Sequence, residues 1–264
     1  MTGNVAPTLC IRDLRVDIAG KRLLDIDELD VGRGEIVGLV GESGAGKSLM
    51  QAAVLGLLPG NAKVTGSLTF DGTEVLGASR SVMHDIRGRR ITVVLQAARA
   101  ALTPTIRAET WIDRALALHD VPKAERATRL EHALEAVRLN PALLKRYPHQ
   151  LSGGEAQRVS IALAVALRAE LILADEATSA LDVTVQAEVA ELFRQLRDSE
   201  GTSFLLVSHD LALVAGLADR INIIESGRIV ERGGPDILSH PTDPVTQALV
   251  AAKPDLPRPA AVTS

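Results

Sequence analysis

What this chain lacks bounds what it can be. One cysteine, Cys10, in 264 residues excludes an internal disulfide, a cysteine-held zinc site and an iron–sulfur cluster within a single chain. Cys10 itself reads as a small buried thiol on the first strand. Aromatic residues are 2% of the chain, with one Trp, one Tyr and three Phe, so ring surfaces for stacking are scarce. Hydrophobic residues make up 46%, yet no apolar run approaches the ~18 to 20 residues that span a bilayer, and no charged-then-apolar signal segment opens the chain. A soluble, intracellular protein is expected. A formal net charge of −4 and a pI near 5.9 supply none of the basic excess that a broad nucleic-acid surface requires. No internal repeat and no heptad run of coiled-coil length appears, so a single module is expected.

What is present centres on Gly41-Glu42-Ser43-Gly44-Ala45-Gly46-Lys47-Ser48, which follows the apolar run Glu35-Ile36-Val37-Gly38-Leu39-Val40. It reads as a phosphate-binding loop. A buried strand delivers the chain, the glycines let backbone N–H groups turn inward around an anion, and Lys47 adds a fixed positive charge. Ser48 to Leu55 suits a helix whose positive N-terminal end, roughly half a charge, points at the same phosphates. The Ser48 hydroxyl is then a ligand for magnesium.

Along the chain, Leu9 to Ile18 and Leu23 to Val31 read as strands joined by Ala19-Gly20-Lys21, and both are expected to flank the nucleotide strand. Ser67 to Phe70 meets Thr73 to Val75 across Asp71-Gly72, a tight-hairpin pair, and Ile91 to Leu95 is a buried strand ending at Gln96. The spacing of Ala127, Leu130, Leu134 and Val137 predicts an amphipathic helix within a helical insertion of about 97–159. In Leu151-Ser152-Gly153-Gly154-Glu155-Ala156-Gln157-Arg158, Ser152 and Glu155 form a capping box. The two intervening glycines cost helix stability, which implies that the backbone there approaches something closely. Glu170 to Ala174 is a strand delivering Asp175 and Glu176 to its C-terminal end, where ligands of open α/β sheets gather. Such a pair suits a metal shell and a base for water. Val185, Val189, Leu192 and Leu196 mark another helix. Phe204 to Val207 is a strand ending at His209, and Ile221 to Val230 is a closing hairpin. The proline-rich stretch from Lys253 has the composition of a disordered tail.

The ordered set of phosphate loop, Gln96, Leu151 to Gln157, Leu173 to Glu176, Ser179-Ala180-Leu181-Asp182 and His209 resembles the ATP-binding-cassette (ABC) ATPases over roughly 9–233. The resemblance implies an α/β fold: a P-loop NTPase core with a mixed sheet, an antiparallel β subdomain and an inserted helical subdomain. The whole chain, 1–264, is then one ATPase domain, with its core at about 1–96 and 160–235 and a tail at about 236–264. It also implies ATP with Mg2+ as cofactors and a second ABC ATPase as partner. Two ATP molecules are sandwiched between the loop of one subunit and Ser152, Gly153, Gly154 and Gln157 of the other, with Asp182 at the dimer contact. Lys47 then holds the β- and γ-phosphates, and Ser48 and Gln96 coordinate magnesium, with Asp175 bound through water. Glu176 is general base and His209 contacts the γ-phosphate.

A narrower likeness is to importers of oligopeptides, dipeptides and nickel. Ser48-Leu49-Met50 running into Leu57-Leu58-Pro59, the stretch from Ser208 to Asp219, and His240-Pro241 before Val245 to Val250 carry it. Peptide-type members commonly hold a C-terminal cysteine cluster, and its absence here tilts toward the nickel-like members. Ala97-Ala98 and Leu102-Thr103-Pro104 depart from the group's Asp-Pro and Leu-Asn-Pro, where such ATPases meet their membrane partners. The resemblance implies separate permease subunits, indirectly a substrate-binding protein, no nucleic acid, and a cytoplasmic protein peripheral on the inner face of the cell membrane. The competing functions are a soluble ABC ATPase acting on nucleic acid or ribosomes, and an exporter ATPase.

These ATPases usually stack adenine on an aromatic near the end of the first strand, where this chain has Ile18, and no aromatic precedes Phe70. Without a ring the stacking contribution, about 1 to 3 kcal/mol per base in single-strand binders, is missing. ATP is therefore expected to bind the isolated chain weakly and with little preference over GTP, and Ile18→Tyr to tighten it. Fluorescence titration of both nucleotides checks this, and an unchanged affinity in the variant rejects the alignment of Ile18 with the base.

Overall fold

Alternating burial along the first strands decides the architecture of the first of two compact units. The computed structural model describes residues 7–253, and the chain divides into a unit of 1–77 with 205–264 and a unit of 78–204. In the first unit β1 (Leu9–Ile18) and β2 (Lys21–Val31) form an antiparallel hairpin. Its two-residue turn holds Ala19 at φ 51° and Gly20 at φ 78°, the left-handed pair that matches strand twist. Leu9, Ile11, Leu14 and Val16 are buried while residues between them are not, so the hairpin presents one apolar face. Cys10 lies on the other face and is only half-buried. Burial, then the neighbouring Asp30, push its thiol pKa up.

The next strand differs. All residues of β3 (Ile36–Val40) are buried, and helix α1 (Lys47–Val54) follows. Next come β4 (Lys63–Phe70) and β5 (Thr73–Glu74), paired as the Asp71-Gly72 turn predicts. The antiparallel sheet has the order β2-β1-β4-β5. The hairpin β1–β2 therefore does not flank β3, contrary to the sequence expectation. A strand buried on both faces needs neighbours that are themselves covered, and a hairpin with one wet face pairs elsewhere.

The second unit begins with α2 (Arg80–Ile86) and β6 (Ile91–Leu95). The helices α3 (Ala98–Ala101), α4 (Ala108–Leu118) and α5 (Lys123–Ala136) follow, and then short 3-10 turns at Pro141–Lys145 and Pro148–Gln150. Of the face expected on α5, Leu134 and Val137 are buried, whereas Ala127 is exposed and Leu130 half-exposed. Ala127 and Leu130 line an open groove of about 740 Å³ with Leu139 and Leu144. Helix α6 (Gly153–Leu167) is buried around most of its circumference, as the apolar run from Ile161 to Leu167 requires. After it, β7 (Leu171–Asp175) pairs parallel with β6, and α7 (Val183–Glu200) closes the unit. Phe193 and Phe204 pack ring to ring there at 4.9 Å.

The chain re-enters the first unit within β8 (Ser203–Ser208) and continues through α8 (Leu211–Leu217), β9 (Arg220–Glu225), β10 (Arg228–Gly233) and α9 (Pro244–Ala251). There the order is β10-β9-β3-β8. β9 runs parallel to β3 and antiparallel to β10, so the sheet is mixed. Apart from Lys253, the proline-rich stretch lies outside the described residues.

α9 is tied to β10 by one carboxylate. Glu231 accepts hydrogen bonds from the Thr242 amide and hydroxyl at 2.9 and 2.6 Å and from the Asp243 amide at 3.3 Å, while Asp243 caps α9 through Val245 N–H. Burial pushes the Glu231 pKa up, but those donors outweigh it and take the pKa down to about 2 from an ordinary 4.5. The folded state thus holds its proton less tightly than the unfolded chain. The stability from this group is complete above pH 4.5 and lost as pH falls toward 2. Glu231→Gln is expected to cost about 1 kcal/mol at neutral pH, discounted for exposure, and about 2–4 °C of melting temperature. The penalty should shrink as pH falls below 4.5 and vanish only below the folded pKa of about 2, which melting curves across pH check.

Candidate functional site

In the first unit β3 drives straight into the glycine-rich loop. Gly46 takes φ 108° and Gly44 φ 84°, conformations that L side chains rarely adopt, and between them Ala45 is buried. α1 then starts with no side-chain cap and no acidic residue in its first turn, so no side chain competes for its leading N–H groups. Lys47 is only 8% exposed, and its Nζ donates to the carbonyls of Gly41 at 2.6 Å and Glu42 at 2.8 Å. The loop thus wraps its own cation. Ser48 is exposed beside it, its hydroxyl not committed to any core. A buried ammonium, a loop with two left-handed glycines and an uncapped helix end fit a polyphosphate.

The same unit carries His209 and Ile18. His209 stands exposed just past β8, at a corner fixed by its neighbours. Ser208 Oγ accepts from Asp210 N–H at 3.0 Å, and Asp210 caps α8 through the amides of Ala212 and Leu213. Ile18 is half-buried at the tip of the β1–β2 hairpin, opposite Lys21.

In the second unit parallel pairing brings three predicted residues together. Leu95 on β6 is in register with Asp175 on β7, so Gln96 and Glu176 each follow directly at adjacent C-terminal strand ends. Gln96 is exposed and the two carboxylates are half-buried. Glu176 sits at φ 46°, a left-handed conformation unusual outside glycine and concentrated at functional sites. Its carbonyl accepts from the amide and hydroxyl of Ser179, which holds the turn. Oxygen ligands and a carboxylate base converging at strand ends suit a hard cation and an attacking water.

Ser152 caps α6 as predicted, accepting from Glu155 N–H at 3.2 Å while the Glu155 carboxylate takes Ser152 N–H at 2.6 Å. The two glycines have partners in their own chain. A Cβ on Gly154 would lie 2.8 Å from Val185 Cγ1, and one on Gly153 3.2 Å from Leu181 Cδ2. The close approach inferred from the sequence is thus made to the start of α7, which Asp182 caps through Val185 N–H at 3.0 Å. Asp182 is exposed, as is Val183. Gln157 points inward. It is 1% exposed, and its amide donates to Leu95 O at 3.4 Å, one residue before Gln96. Sequence reasoning missed this role, and also Arg99, whose guanidinium donates to Leu151 O just ahead of the cap. No signal in the sequence separates Gln157 from its polar neighbours Glu155, Arg158 and Ser160.

The family described as "ABC transporter" matches residues 24–179. The chain belongs to that family. It is 39% identical over 245 residues to the oligopeptide transport ATP-binding protein OppD of Lactococcus lactis subsp. cremoris, covering 90% of this chain and 72% of OppD. Among solved structures it resembles dimeric MJ0796, a bacterial ABC transporter cassette (TM-score 0.74, 26% identity, 86% of this chain and 98% of that one). It also resembles cbiO1 of Clostridium perfringens, part of the ABC transporter complex cbiONQ (TM-score 0.80, 22% identity, 89% and 91%). The fold is that of the ABC ATPases, and the chain is an ABC-type ATPase that takes ATP with Mg2+. No helix among the described residues is long and apolar enough to cross a membrane.

If packing within the chain is what requires glycine at 154, Gly154→Ala should lower the melting temperature by several degrees, corresponding to about 1–3 kcal/mol of overpacking. Adding Val185→Ala, which clears the obstructing methyl, should recover most of the loss. Melting the single and double variants decides it, and additive losses would exclude the contact as the cause.

Proposed function

We propose that this chain is the energy-supplying subunit of an import system for short peptides, acting on a separate membrane permease from the inner face of the cell membrane. The observation that carries the reading is the 39% identity over nine-tenths of the chain to a protein named for oligopeptide transport. That likeness outweighs the tilt toward nickel drawn from the cysteine-free C-terminal part. The whole chain serves as one cassette, with a second ABC ATPase as its pair and a substrate-binding protein as an indirect partner.

Within this reading the loop amides from Gly41 to Ser48 and the Lys47 ammonium hold the phosphates of ATP. Lys47 exchanges its carbonyl partners for phosphate oxygens, which are stronger, charge-assisted acceptors. Ser48 and Gln96 would supply oxygen ligands for Mg2+, with Asp175 reaching it through water, and the ion would neutralise charge on the phosphates. Glu176 takes the proton of the attacking water, and its constrained turn keeps the carboxylate aimed without rearrangement. His209, on the rigid corner after β8, contacts the γ-phosphate. Ser152, Gly153, Gly154 and Asp182 face the paired subunit, and Gln157 acts from below by holding the strand end that carries Gln96.

Two measurements test the reading. Glu176→Gln keeps the size of the side chain but not its basicity, so phosphate release should fall at least about 100-fold while ATP affinity is kept. Turnover within a few-fold of wild type rejects Glu176 as the base. In cells without the chain, uptake of a labelled tripeptide should be lost with nickel uptake intact, and the converse result assigns the nickel reading.

A further inference from the structure

The glycine-rich loop is held by backbone contacts with a turn far away in sequence. Residues Ser226 and Gly227 connect β9 to β10, with φ 47° and 80°. The Gly227 N–H donates to the carbonyl of Ala45, in the middle of the loop, at 2.8 Å. The Gly227 carbonyl accepts from Asp25 N–H on β2, also at 2.8 Å. Gly46 rests on the same support: a Cβ there would lie 2.8 Å from Leu24 Cδ2 and 3.3 Å from Gly227 Cα. Asp25 adds a side-chain lock. Its carboxylate pairs with Arg228, next to the turn, at 2.6 Å and with Arg15 of β1 at 3.1 Å, and it is 16% exposed.

We propose that the Ser226-Gly227 turn, locked by Asp25, is a positioning element for the phosphate loop, so that affinity for ATP depends on it. The inference rests on the reading of 41–48 as the phosphate site. Gly227 and Asp25 touch no ligand and act through Ala45 and Gly46. Alanine at 227 is strained at this φ, and its Cβ would run into the Leu23 carbonyl. The turn must then shift, withdrawing the N–H from Ala45. Misplacing ligand-binding atoms by about an ångström has large effects on binding and rate.

The test titrates a fluorescent ATP analogue with Mg2+ into the full chain and its variants, beside melting of the nucleotide-free proteins. Gly227→Ala should bind about tenfold more weakly and Asp25→Ala about threefold more weakly. Arg232→Ala is the control. It removes a pair to Glu28 joining the same two strands, at 3.0 Å, without reaching the loop, so affinity should stay at the wild-type value. Wild-type affinity in both Gly227→Ala and Asp25→Ala overturns the brace. So does an equal weakening in Arg232→Ala, which would make it a matter of sheet stability. If Gly227→Ala does not fold, Asp25→Ala against Arg232→Ala decides alone. A wild-type chain that fails to bind ATP overturns the phosphate reading itself, a result distinct from normal binding that the variants leave unchanged.

Discussion

Among the described residues Lys47 is the one buried residue with a formal charge. An ammonium withdrawn from water without partners is costly, and the chain meets that cost with the carbonyls of Gly41 and Glu42. Those carbonyls can reach one Nζ only if the loop closes around it, and the loop closes only through left-handed backbone at Gly44 and Gly46. Burying one cation therefore dictates glycine positions, loop curvature and the place where α1 begins. It also readies the site for an anion. Neutral carbonyls are weaker acceptors for an ammonium than phosphate oxygens are.

Each unit contributes a different kind of rigidity. In the first, the loop is seated on backbone from β2 and from the β9–β10 turn, and the sheet beneath is cross-linked by carboxylate–guanidinium pairs such as Arg12 with Asp30 and Arg15 with Asp25. Individually such half-exposed pairs contribute little to stability, and they join neighbouring strands of the sheet. In the second, rigidity comes from burial. α6 is buried from Val159 to Leu167, and the one amide it carries inward, on Gln157, reaches the end of β6. Buried polar groups are usually hydrogen-bonded, and the partner of the Gln157 amide is the strand end that presents Gln96.

What was legible in the sequence is what local chemistry determines. The β4–β5 hairpin follows from the Asp71-Gly72 turn, and the break between β1 and β2 follows from the turn at Ala19-Gly20. The Ser152 box follows from a hydroxyl and a carboxylate three residues apart, and β3, the loop and α1 follow from a contiguous run. Sheet membership was not legible, because β1 and β4 meet across some fifty residues and nothing local says that the first hairpin avoids β3. The upper half of the α5 stripe misled for a similar reason. Periodicity shows which residues share a face, and it does not show that Ala127 and Leu130 border an open groove. Gln157 belongs to the same class, since its sequence position is equally consistent with facing out or in.

The glycines after Ser152 show how far one observation can be made to go. From sequence they imply close approach, and the family resemblance offers a nucleotide bound by a paired subunit as what approaches. The structure supplies a neighbour within the chain, the Leu181 and Val185 side chains flanking the start of α7. The proposed pairing would not conflict with that packing, because a glycine leaves open the side that a side chain would otherwise shield. Packing against Leu181 and Val185 brings the capped start of α6 beside Asp182, the cap of α7. Two helix N-termini, each with its first amides partly satisfied by Ser152 or Asp182, then lie side by side within this unit. Their positive helix ends fall at one edge of this unit, and under the proposed pairing that edge would suit a phosphate presented by a second subunit, with no side chain on the glycines to stand in its way.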